Sequence, residues 1–246
     1  MTTGRVSRER LDRQLVERGF AESREKAQAL IMAGEVLVDG RKAEKPGVTV
    51  ARDCQIELLA RPRFVGRGGI KLQAALEHFQ VNVTGMVCLD VGASTGGFTD
   101  CLLQNGAARV HAVDVGHGQL DWKLRNDARV SVYEGLNARG LTVGDVGEQV
   151  DLAVCDVSFI SVTLIVPAIA GVLKERAGMI VLVKPQFEAG REQVGKGGIV
   201  RDPAVQQAAC DRVAAAVEEM GFRWSAIDSP IAGAEGNREI LLHAYR

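Results

Sequence analysis

Hydrophobic and polar positions follow two different periods along the first part of the chain. Apolar residues recur at helical spacing over Arg8–Val16 and Arg24–Ala33, with Ser23 as the N-cap of the second helix. Alternating apolar positions then predict short strands, and Asp39-Gly40 predicts a hairpin turn between two of them. The strand positions are Val36, Val38, Val48, Val50, Ile56 and Leu58. This pattern predicts a compact α+β domain over residues 1–60.

After a segment rich in Pro, Gly and Arg at 61–69, taken as a linker, helices and mostly continuous apolar strands alternate over 70–246. The predicted strands are Val87–Val91, Val110–Val113, Val130–Tyr133, Leu152–Cys155, Met179–Val183, Phe222–Ile227 and Glu239–Tyr245. The predicted helices are Ile70–Phe79, Phe98–Asn105, Val162–Lys174 and Pro203–Met220. This order predicts an α/β, doubly wound, mostly parallel, seven-stranded Rossmann-like sheet. A short connection joins the last two strands, so one of them should be antiparallel.

Charge is unevenly distributed, although the composition is that of an ordinary globular protein. The chain is 46% hydrophobic and 25% charged, with a net charge of -1. Residues 1–71 carry 15 Lys and Arg against 10 Asp and Glu, while the remaining residues carry 15 against 21. A basic end on an acidic body is typical of a polyanion-facing domain, but it also occurs without functional meaning.

Cysteine usage and hydropathy predict a cytoplasmic protein. The five cysteines are scattered and form no C-x-x-C pair, which disfavours disulfides and zinc. The longest apolar run, Ile160–Leu173, is broken by Pro167 and is shorter than the roughly 20 residues that a membrane span needs. This hydropathy predicts no membrane span. His111, His117 and His243 show no ligand spacing, so we also expect no bound metal.

A glycine-rich turn after the first strand of the predicted sheet indicates a nucleoside cofactor. The turn reads G-x-x-x-G-G from Gly92, with Asp90 before it and Asp114 at the end of the next strand. Three interpretations fit: an S-adenosylmethionine site, a nicotinamide site, or a glycine turn without a ligand. An acidic residue at position 90 would repel a pyrophosphate and could pair with the ammonium of a methionine moiety. The pattern therefore favours S-adenosylmethionine.

Candidate catalytic residues stand where strands end. Asp156 and Lys184 each follow an apolar strand, Glu239 lies in the last strand, and Lys71 opens the helix before the sheet. A lysine at a strand end is unusual because an unpaired buried ammonium is costly, although it could also be a surface lysine. A lysine–aspartate pair suits activation of a hydroxyl. Enzymes that methylate base amines usually carry an [Asp/Asn]-Pro-Pro-[Tyr/Phe] tetrad here, and this chain reads Asp156-Val157-Ser158-Phe159.

These four positions match the Lys-Asp-Lys-Glu tetrad of FtsJ-like ribose 2'-O-methyltransferases. The whole chain resembles the TlyA family, often labelled hemolysin A, of rRNA 2'-O-methyltransferases. Residues 5–60 resemble the RNA-binding module named after small-ribosomal-subunit protein four. The stretches that carry the resemblance are Arg67–Leu72, Asp90–Thr99, Asp114–Leu120, Asp156–Ser161 and Val183–Glu188.

The resemblance implies a role for each site residue. Lys184 would deprotonate the ribose 2'-hydroxyl, Asp156 would orient the lysine and the methyl group, and Lys71 and Glu239 would shape the field and position the ribose. The cofactor-binding residues that we predict are Asp90, Gly92, Ala93, Ser94, Thr95, Gly96, Gly97, Phe98, Asp114, Asn137 and Asp156. The chain departs from better-known relatives at Phe64, where they carry Trp.

The basic residues near the N-terminus are candidate contacts to folded RNA. The predicted RNA-binding residues are Arg5, Arg8, Arg10, Arg24, Lys26, Arg41, Lys42 and Arg67, and Arg13 could join them. The alternative is a solvated helix surface, because nearby Glu and Asp nearly balance these charges. Gln186–Asp202 is predicted to form a movable lid or a plain surface loop, and Trp122 and Trp224 are predicted to be packing residues.

The sequence thus predicts an rRNA ribose 2'-O-methyltransferase that acts on a cytidine of ribosomal RNA or ribosomal subunits. The end of the chain at Arg246 resembles the shorter subtype, which implies 23S rRNA as the target. Two alternatives remain open. One is a non-catalytic RNA-binding assembly factor, and the other is a pore-forming hemolysin, which would need a membrane-active segment.

Overall fold

The computed structural model describes residues 7–59, 63–233 and 236–246. The chain divides into two compact units, Met1–Pro62 and Arg63–Arg246. The first unit is a small α+β domain, and the second is an α/β domain built on one large sheet. Both architectures confirm the predicted fold class.

Over residues 7–59, the N-terminal unit contains two helices and two small antiparallel sheets. Ser23 caps the second helix by accepting a hydrogen bond from the Lys26 amide at 3.3 Å, as predicted. Leu11 and Leu15 of the first helix are fully buried in a core shared with the second. The elements are β1 (Arg8–Arg10), α1 (Leu11–Glu17), α2 (Arg24–Met32), β2 (Val36–Val38), β3 (Arg41–Lys42), β4 (Thr49–Ala51) and β5 (Ile56–Leu58).

The start of this unit differs from the prediction. Residues Arg8–Arg10 form a strand instead of the first turn of a helix, and they pair with Thr49–Ala51 of β4. The helix begins only at Leu11. The reason is that a partner about 40 residues away satisfies the backbone groups of β1, and local apolar spacing carries no information about such a partner.

The second unit contains seven helices and seven strands among its described residues. Short 3-10 turns cover Ala138–Gly140, Val162–Leu164 and Arg191–Gln193. The elements are α3 (Gly68–His78), β6 (Val87–Val91), α4 (Gly97–Gln104), β7 (Arg109–Asp114), α5 (Trp122–Arg125), β8 (Val130–Glu134), α6 (Val143–Val146), β9 (Val150–Cys155), α7 (Val166–Val172), β10 (Leu173–Val183), α8 (Pro185–Glu188), α9 (Pro203–Glu219), β11 (Arg223–Asp228) and β12 (Ile240–Tyr245).

The large sheet has the strand order β11-β12-β10-β9-β6-β7-β8. Strands β6 to β10 run parallel, and β12 is antiparallel to both of its neighbours, as the short final connection predicted. The central strands are continuous apolar runs because both faces of the sheet are covered. Met179–Val183, for example, is at most 1% exposed at every position.

Two apolar cores lie on the two faces of this sheet. Leu72 of α3 and Leu102 of α4 belong to one core, and Ile169 of α7 and Val213 of α9 belong to the other. All four side chains are fully buried. The helices therefore fix the strands in place, and the loops at the carboxyl ends of the parallel strands share one rim.

Most of the segment predicted as a linker packs on the second unit. Residues 61 and 62 lie outside the described part of the chain. Phe64 is buried, and a Cβ at Gly69 would lie 2.3 Å from the Phe64 ring, so glycine is needed there. The Val65 amide donates to Asp100 Oδ2 at 2.8 Å, and α3 begins at Gly68. The linker prediction is therefore wrong for 63–69, where specific packing replaces a flexible spacer.

Candidate active site

The glycine-rich turn between β6 and α4 is held in a shape that requires glycine. Gly92 has a φ of 81°, and a Cβ there would lie 2.6 Å from the Asp156 carbonyl oxygen. Gly96 has a φ of 96°, and a Cβ there would lie 2.2 Å from Leu124 Cδ1. Left-handed backbone and close packing at both positions leave no room for a side chain. The turn thus brings backbone amides to the rim of the sheet.

Asp114, at the end of β7, holds this turn from the neighbouring strand. Its Oδ2 accepts a hydrogen bond from the Ser94 amide at 2.8 Å, and its Oδ1 accepts one from the Gly116 amide at 2.7 Å. Ser94 has a positive φ of 48°. A carboxylate offers about four acceptor positions, so both oxygens keep capacity for a ligand hydroxyl.

Asp90 is a buried carboxylate directly behind the turn. Thr99 Oγ1 donates to its Oδ2 at 2.6 Å, while its Oδ1 has no hydrogen-bond partner among the described residues. Burial raises the pKa of Asp90 to about 7, and the charges of Asp156 and Asp114 add to the increase. An unsatisfied acceptor in this place favours a ligand that brings a positive charge or a donor.

A cleft of about 360 Å³ opens between these strand ends. This volume lies in the range of small-molecule sites. The predicted cofactor residues that line it are Gly92, Ser94, Asp114, Asn137 and Asp156. The other predicted residues are not in its lining: Asp90, Ala93, Gly96, Gly97 and Phe98 are buried, and Thr95 is exposed. The acidic, amide and backbone groups of the cleft fit a nucleoside that carries an amino-acid moiety.

Lys184 and Asp156 meet at the mouth of the cleft. Lys184 Nζ lies 2.5 Å from Asp156 Oδ1 and donates to Ser158 Oγ at 2.8 Å. The Lys184 side chain is 11% exposed, so its ammonium is partnered and not a snorkelling surface group. The pair places a nitrogen that can exchange protons at the edge of the cleft.

Lys71 and Glu239 form a second, more deeply buried ion pair, with Lys71 Nζ 2.5 Å from Glu239 Oε2. A Cβ at Gly233 would lie 2.0 Å from Glu239 Oε1, so this glycine makes room for the carboxylate. A Cβ at Gly68, in the same turn of α3 as Lys71, would lie 3.8 Å from Asp156 Oδ2. The structure therefore brings all four predicted catalytic residues to one rim as two ion pairs.

Two functional candidates beside Lys184 were given no role by the sequence. Ser158 is a hydrogen-bond partner of Lys184. Phe159 lines the cleft, is 92% exposed and has a positive φ of 66°, with its ring centroid 5.2 Å from that of Phe187. A large apolar ring held in an unfavourable backbone conformation indicates a functional site. Its sequence signals were its position shortly after the strand that ends at Cys155 and its place in the Asp156–Ser161 stretch that carries the family resemblance.

The segment after Lys184, predicted as a lid or a plain loop, contains short helices and is hydrogen-bonded to neighbouring segments. Glu188 is buried and accepts hydrogen bonds from Ser161 Oγ at 2.5 Å and the Val162 amide at 2.7 Å. Farther along, Asn237 accepts from the Val200 amide at 3.0 Å. These contacts tie the segment to the loop after β9 and to the approach to β12.

Comparison with known proteins identifies this arrangement. The family model described as FtsJ-like methyltransferase matches residues 64–246. The chain belongs to the FtsJ-like methyltransferase family. Membership confirms a methyltransferase with S-adenosylmethionine as its cofactor, in agreement with the cleft. A model described as S4 domain matches residues 9–55 of the N-terminal unit, which confirms the predicted resemblance of that module.

The similarity to individual relatives covers nearly the whole chain. The 16S/23S rRNA (cytidine-2'-O)-methyltransferase TlyA of Mycobacterium tuberculosis is 48% identical, covering 96% of this chain and 89% of its own. The 23S rRNA (cytidine-2'-O)-methyltransferase TlyA of Campylobacter jejuni is 33% identical, covering 92% and 83%. A solved structure titled "Putative hemolysin from Streptococcus thermophilus" superposes with a TM-score of 0.74 at 43% identity, covering 98% of this chain and 90% of its own.

The predicted RNA-binding residues of the S4 domain fall into two groups. Arg10 and Arg24 bind the carboxylate of Asp12, and Lys26 pairs with Glu22. Arg8, Arg13, Arg41 and Lys42 are exposed and form no ion pair among the described residues. Arg5 lies outside the described residues, and Arg67, in the methyltransferase unit, is exposed and donates to the Ala232 carbonyl at 2.7 Å.

The two tryptophans, both predicted to be packing residues, differ in the structure. Trp122 is 68% exposed, so its assignment as a packing residue is wrong. Leu124 fills the buried position of the short helix α5 instead. Trp224 packs against one core and donates to Glu218 at 2.7 Å.

All five cysteines are free and buried. In 7–59, 63–233 and 236–246 no cluster of His, Cys, Asp or Glu could hold a metal ion, and no helix is long and apolar enough to cross a membrane.

Proposed function

We propose that this chain transfers a methyl group from S-adenosylmethionine to the 2'-hydroxyl of a cytidine in ribosomal RNA, with 23S rRNA as its target. The observation that carries the proposal is the Lys184–Asp156 pair at the mouth of the cofactor cleft. A lysine amine in this place can take a proton from a hydroxyl group that accepts the methyl. An amino group of a nucleobase would not need such a base before it attacks the methyl.

The cleft residues would hold the cofactor by its polar ends. Asp114 would accept the ribose hydroxyls, Asn137 would border the adenine, and Asp90 would attract the ammonium of the methionine moiety. Asp114 already fixes the turn at Ser94 and Gly116, so its carboxylate is pre-oriented before the cofactor binds.

The bound cofactor supplies an electrophilic methyl group. Lys184, in its neutral form, takes the proton of the ribose 2'-hydroxyl, and Asp156 holds the resulting ammonium in place at 2.5 Å. Ser158 fixes the direction of the lysine by its hydrogen bond. Lys71 and Glu239 neutralise each other in the buried rim and position the ribose. Catalysis then rests on proximity and charge placement.

The RNA target is supported by the S4 domain and by the names of relatives. Both TlyA proteins described above are named for a cytidine 2'-oxygen, and both names include 23S rRNA. The S4 domain adds exposed basic residues that fit an RNA backbone. Ribosomal RNA or ribosomal subunits would accordingly be the partner, and the cytoplasm would be the place of action.

The proposal is tested by methyl transfer to isolated ribosomal subunits. The full chain is incubated with methyl-labelled S-adenosylmethionine and either small or large subunits from a strain that lacks the enzyme, and the RNA is then extracted. We expect label in the large-subunit RNA. Label in the small subunit alone would contradict the 23S target, and no label in either subunit would favour the non-catalytic assembly factor.

A further inference from the structure

Asp12 is a fully buried carboxylate near the start of the S4 domain. It accepts hydrogen bonds from Arg10 Nε at 3.0 Å and Arg10 Nη2 at 2.7 Å. Its Oδ2 also accepts from Arg24 Nη2 and from Gln28 Nε2, each at 3.0 Å. The Arg10 guanidinium holds the pKa of this carboxyl well below its usual range, so it stays ionised. One buried anion thus ties together side chains from three neighbouring elements.

The two arginines that Asp12 holds are oriented and still accessible. Their side chains are 42% and 45% exposed. Both bind the same oxygen of Asp12, so their Nη2 atoms stand close together although both groups are positive. The Arg10 guanidinium also lies close to Gly47, where a Cβ would be 3.4 Å from Arg10 Nη1. Among the described residues, Arg10 Nη1 and Arg24 Nε and Nη1 donate to no protein acceptor, so they can donate to a ligand.

We infer that Asp12 is a positioning residue that sets Arg10 and Arg24 as a two-arginine site for one phosphodiester of the RNA substrate. This inference rests on the proposed function. Two guanidinium groups in van der Waals range repel each other unless an anion lies between them. Asp12 supplies that anion on the buried side of the two arginines. Because the two arginines and Asp12 together carry one net positive charge, they can still attract a phosphate from the solvent side. Fixing both planar groups beforehand lowers the entropy cost of binding a phosphate.

The effect of Asp12→Asn on RNA affinity separates this role from simple electrostatics. The substitution removes a negative charge, so general attraction alone would strengthen binding to RNA. The amide NH2 of asparagine would face the N–H groups of the arginines, which it cannot accept from. The two guanidinium groups would then lose their fixed geometry. We expect the Kd of the full chain for large ribosomal subunits to rise about tenfold. The slope of log K against log salt concentration should fall by about one, the loss of one phosphate contact.

Glu17→Gln is the matched control, because Glu17 is an exposed acid of the same domain that lies 3.7 Å from Arg52. It should leave the affinity unchanged or slightly stronger. If Asp12→Asn behaves like Glu17→Gln while the folded S4 domain is retained by circular dichroism, the positioning role is overturned.

Arg24→Lys tests the same site if Asp12→Asn fails to fold. This change keeps the charge on an exposed side chain and removes the planar fork. We expect several-fold weaker binding to large subunits, and equal binding would overturn the inference. Methyl transfer by the unmodified chain is measured on the same subunits. If the unmodified chain transfers methyl groups but the variants bind the subunits with unchanged affinity, only the inference about Asp12 is refuted. If the unmodified chain transfers no methyl group, the proposed function is refuted.

Discussion

Lys184 Nζ lies 2.5 Å from Asp156 Oδ1 across the ends of two neighbouring parallel strands. The register of β9 and β10 sets this contact, because Val181 stands opposite Cys155 in the buried part of the sheet. The same strand pair carries another lysine–aspartate contact near its opposite end, where Lys174 Nζ lies 2.6 Å from Asp151 Oδ1. Only the first of these pairs faces the cofactor cleft, so the two allow a matched comparison.

Lys184→Ala should lower the rate of methyl transfer by roughly 100- to 10,000-fold, the usual range for loss of a general base. The Kd for S-adenosylmethionine should stay nearly unchanged, because the cofactor contacts lie on Gly92, Ser94 and Asp114. Lys174→Ala is the control and should retain activity. Single-turnover transfer to large subunits and calorimetric titration of the cofactor measure both effects. Retained turnover in Lys184→Ala would show that this lysine is not the base.

Asp90→Asn should make the cofactor-free protein more stable, and more so at pH 8 than at pH 5. The folded-state pKa of Asp90 is about 7 against an ordinary value of 3.8. The contribution of Asp90 to the free energy of unfolding is therefore fully present below pH 3.8, where the carboxyl is protonated in both states. It is lost as the pH rises to about 7, and the loss amounts to roughly 4 kcal/mol. The asparagine still accepts the Thr99 hydrogen bond without a charge.

The same variant should bind S-adenosylmethionine more weakly, because the ammonium loses its counter-charge. Thermal unfolding at both pH values and cofactor titration measure the two effects, with Asp211→Asn on the exposed face of α9 as the control. A lower melting temperature at pH 8, or an unchanged cofactor Kd, would contradict the account of Asp90.

Asp114→Ala should raise the Kd for S-adenosylmethionine at least tenfold, through loss of charge-assisted hydrogen bonds to the ribose and of the contacts to Ser94 and Gly116. Asp127→Ala serves as the control, since the Asp127 carboxylate also accepts from a backbone amide, that of Arg129, and pairs with the Arg129 side chain, and neither residue lines the cleft. Fluorescence or calorimetric titration gives both constants. Equal affinity in Asp114→Ala and the unmodified chain would refute the assigned role.

Phe159→Ala should raise KM for large subunits several-fold and leave the cofactor Kd near its original value. The exposed ring lines the cleft together with Asp156 and Ser158, where a base attached to the reacting ribose could stack on it. Tyr245→Ala removes another exposed ring, at the far end of the antiparallel strand β12, and should have no such effect. A changed cofactor Kd with unchanged KM for RNA would place Phe159 in the cofactor site instead.

The parts of the fold that local pattern determines could be predicted from the sequence. The central strand Val87–Val91 was predicted with its observed bounds because a parallel strand buried on both faces is a continuous apolar run. The antiparallel end of the sheet followed from a short connection. By contrast, the helix predicted over Val162–Lys174 ends at Val172, and Leu173 already belongs to β10, where it pairs with Val150. That pairing is non-local, so helical spacing could not reveal it.

The candidate site shows the same division. Asp156 and Lys184 could be placed on one rim because both end parallel strands. Resemblance to a family placed Lys71 and Glu239, 168 positions apart, in one catalytic set, but only the structure shows that they form an ion pair. Exposure could not be predicted either: Phe159 lies open to solvent, while Asp12 is fully buried under two arginines. A charge count along the chain does not tell a paired cation from a free one.

The most direct test of the central claim is to identify the methylated atom. Large ribosomal subunits are treated with the full chain and S-adenosylmethionine, and the rRNA is digested to nucleosides and to mapped fragments for mass spectrometry. The account predicts a methyl group on the ribose of a cytidine in 23S rRNA, which is absent after treatment with Lys184→Ala. A methyl group on a base, or no mass increase in any fragment, would contradict it.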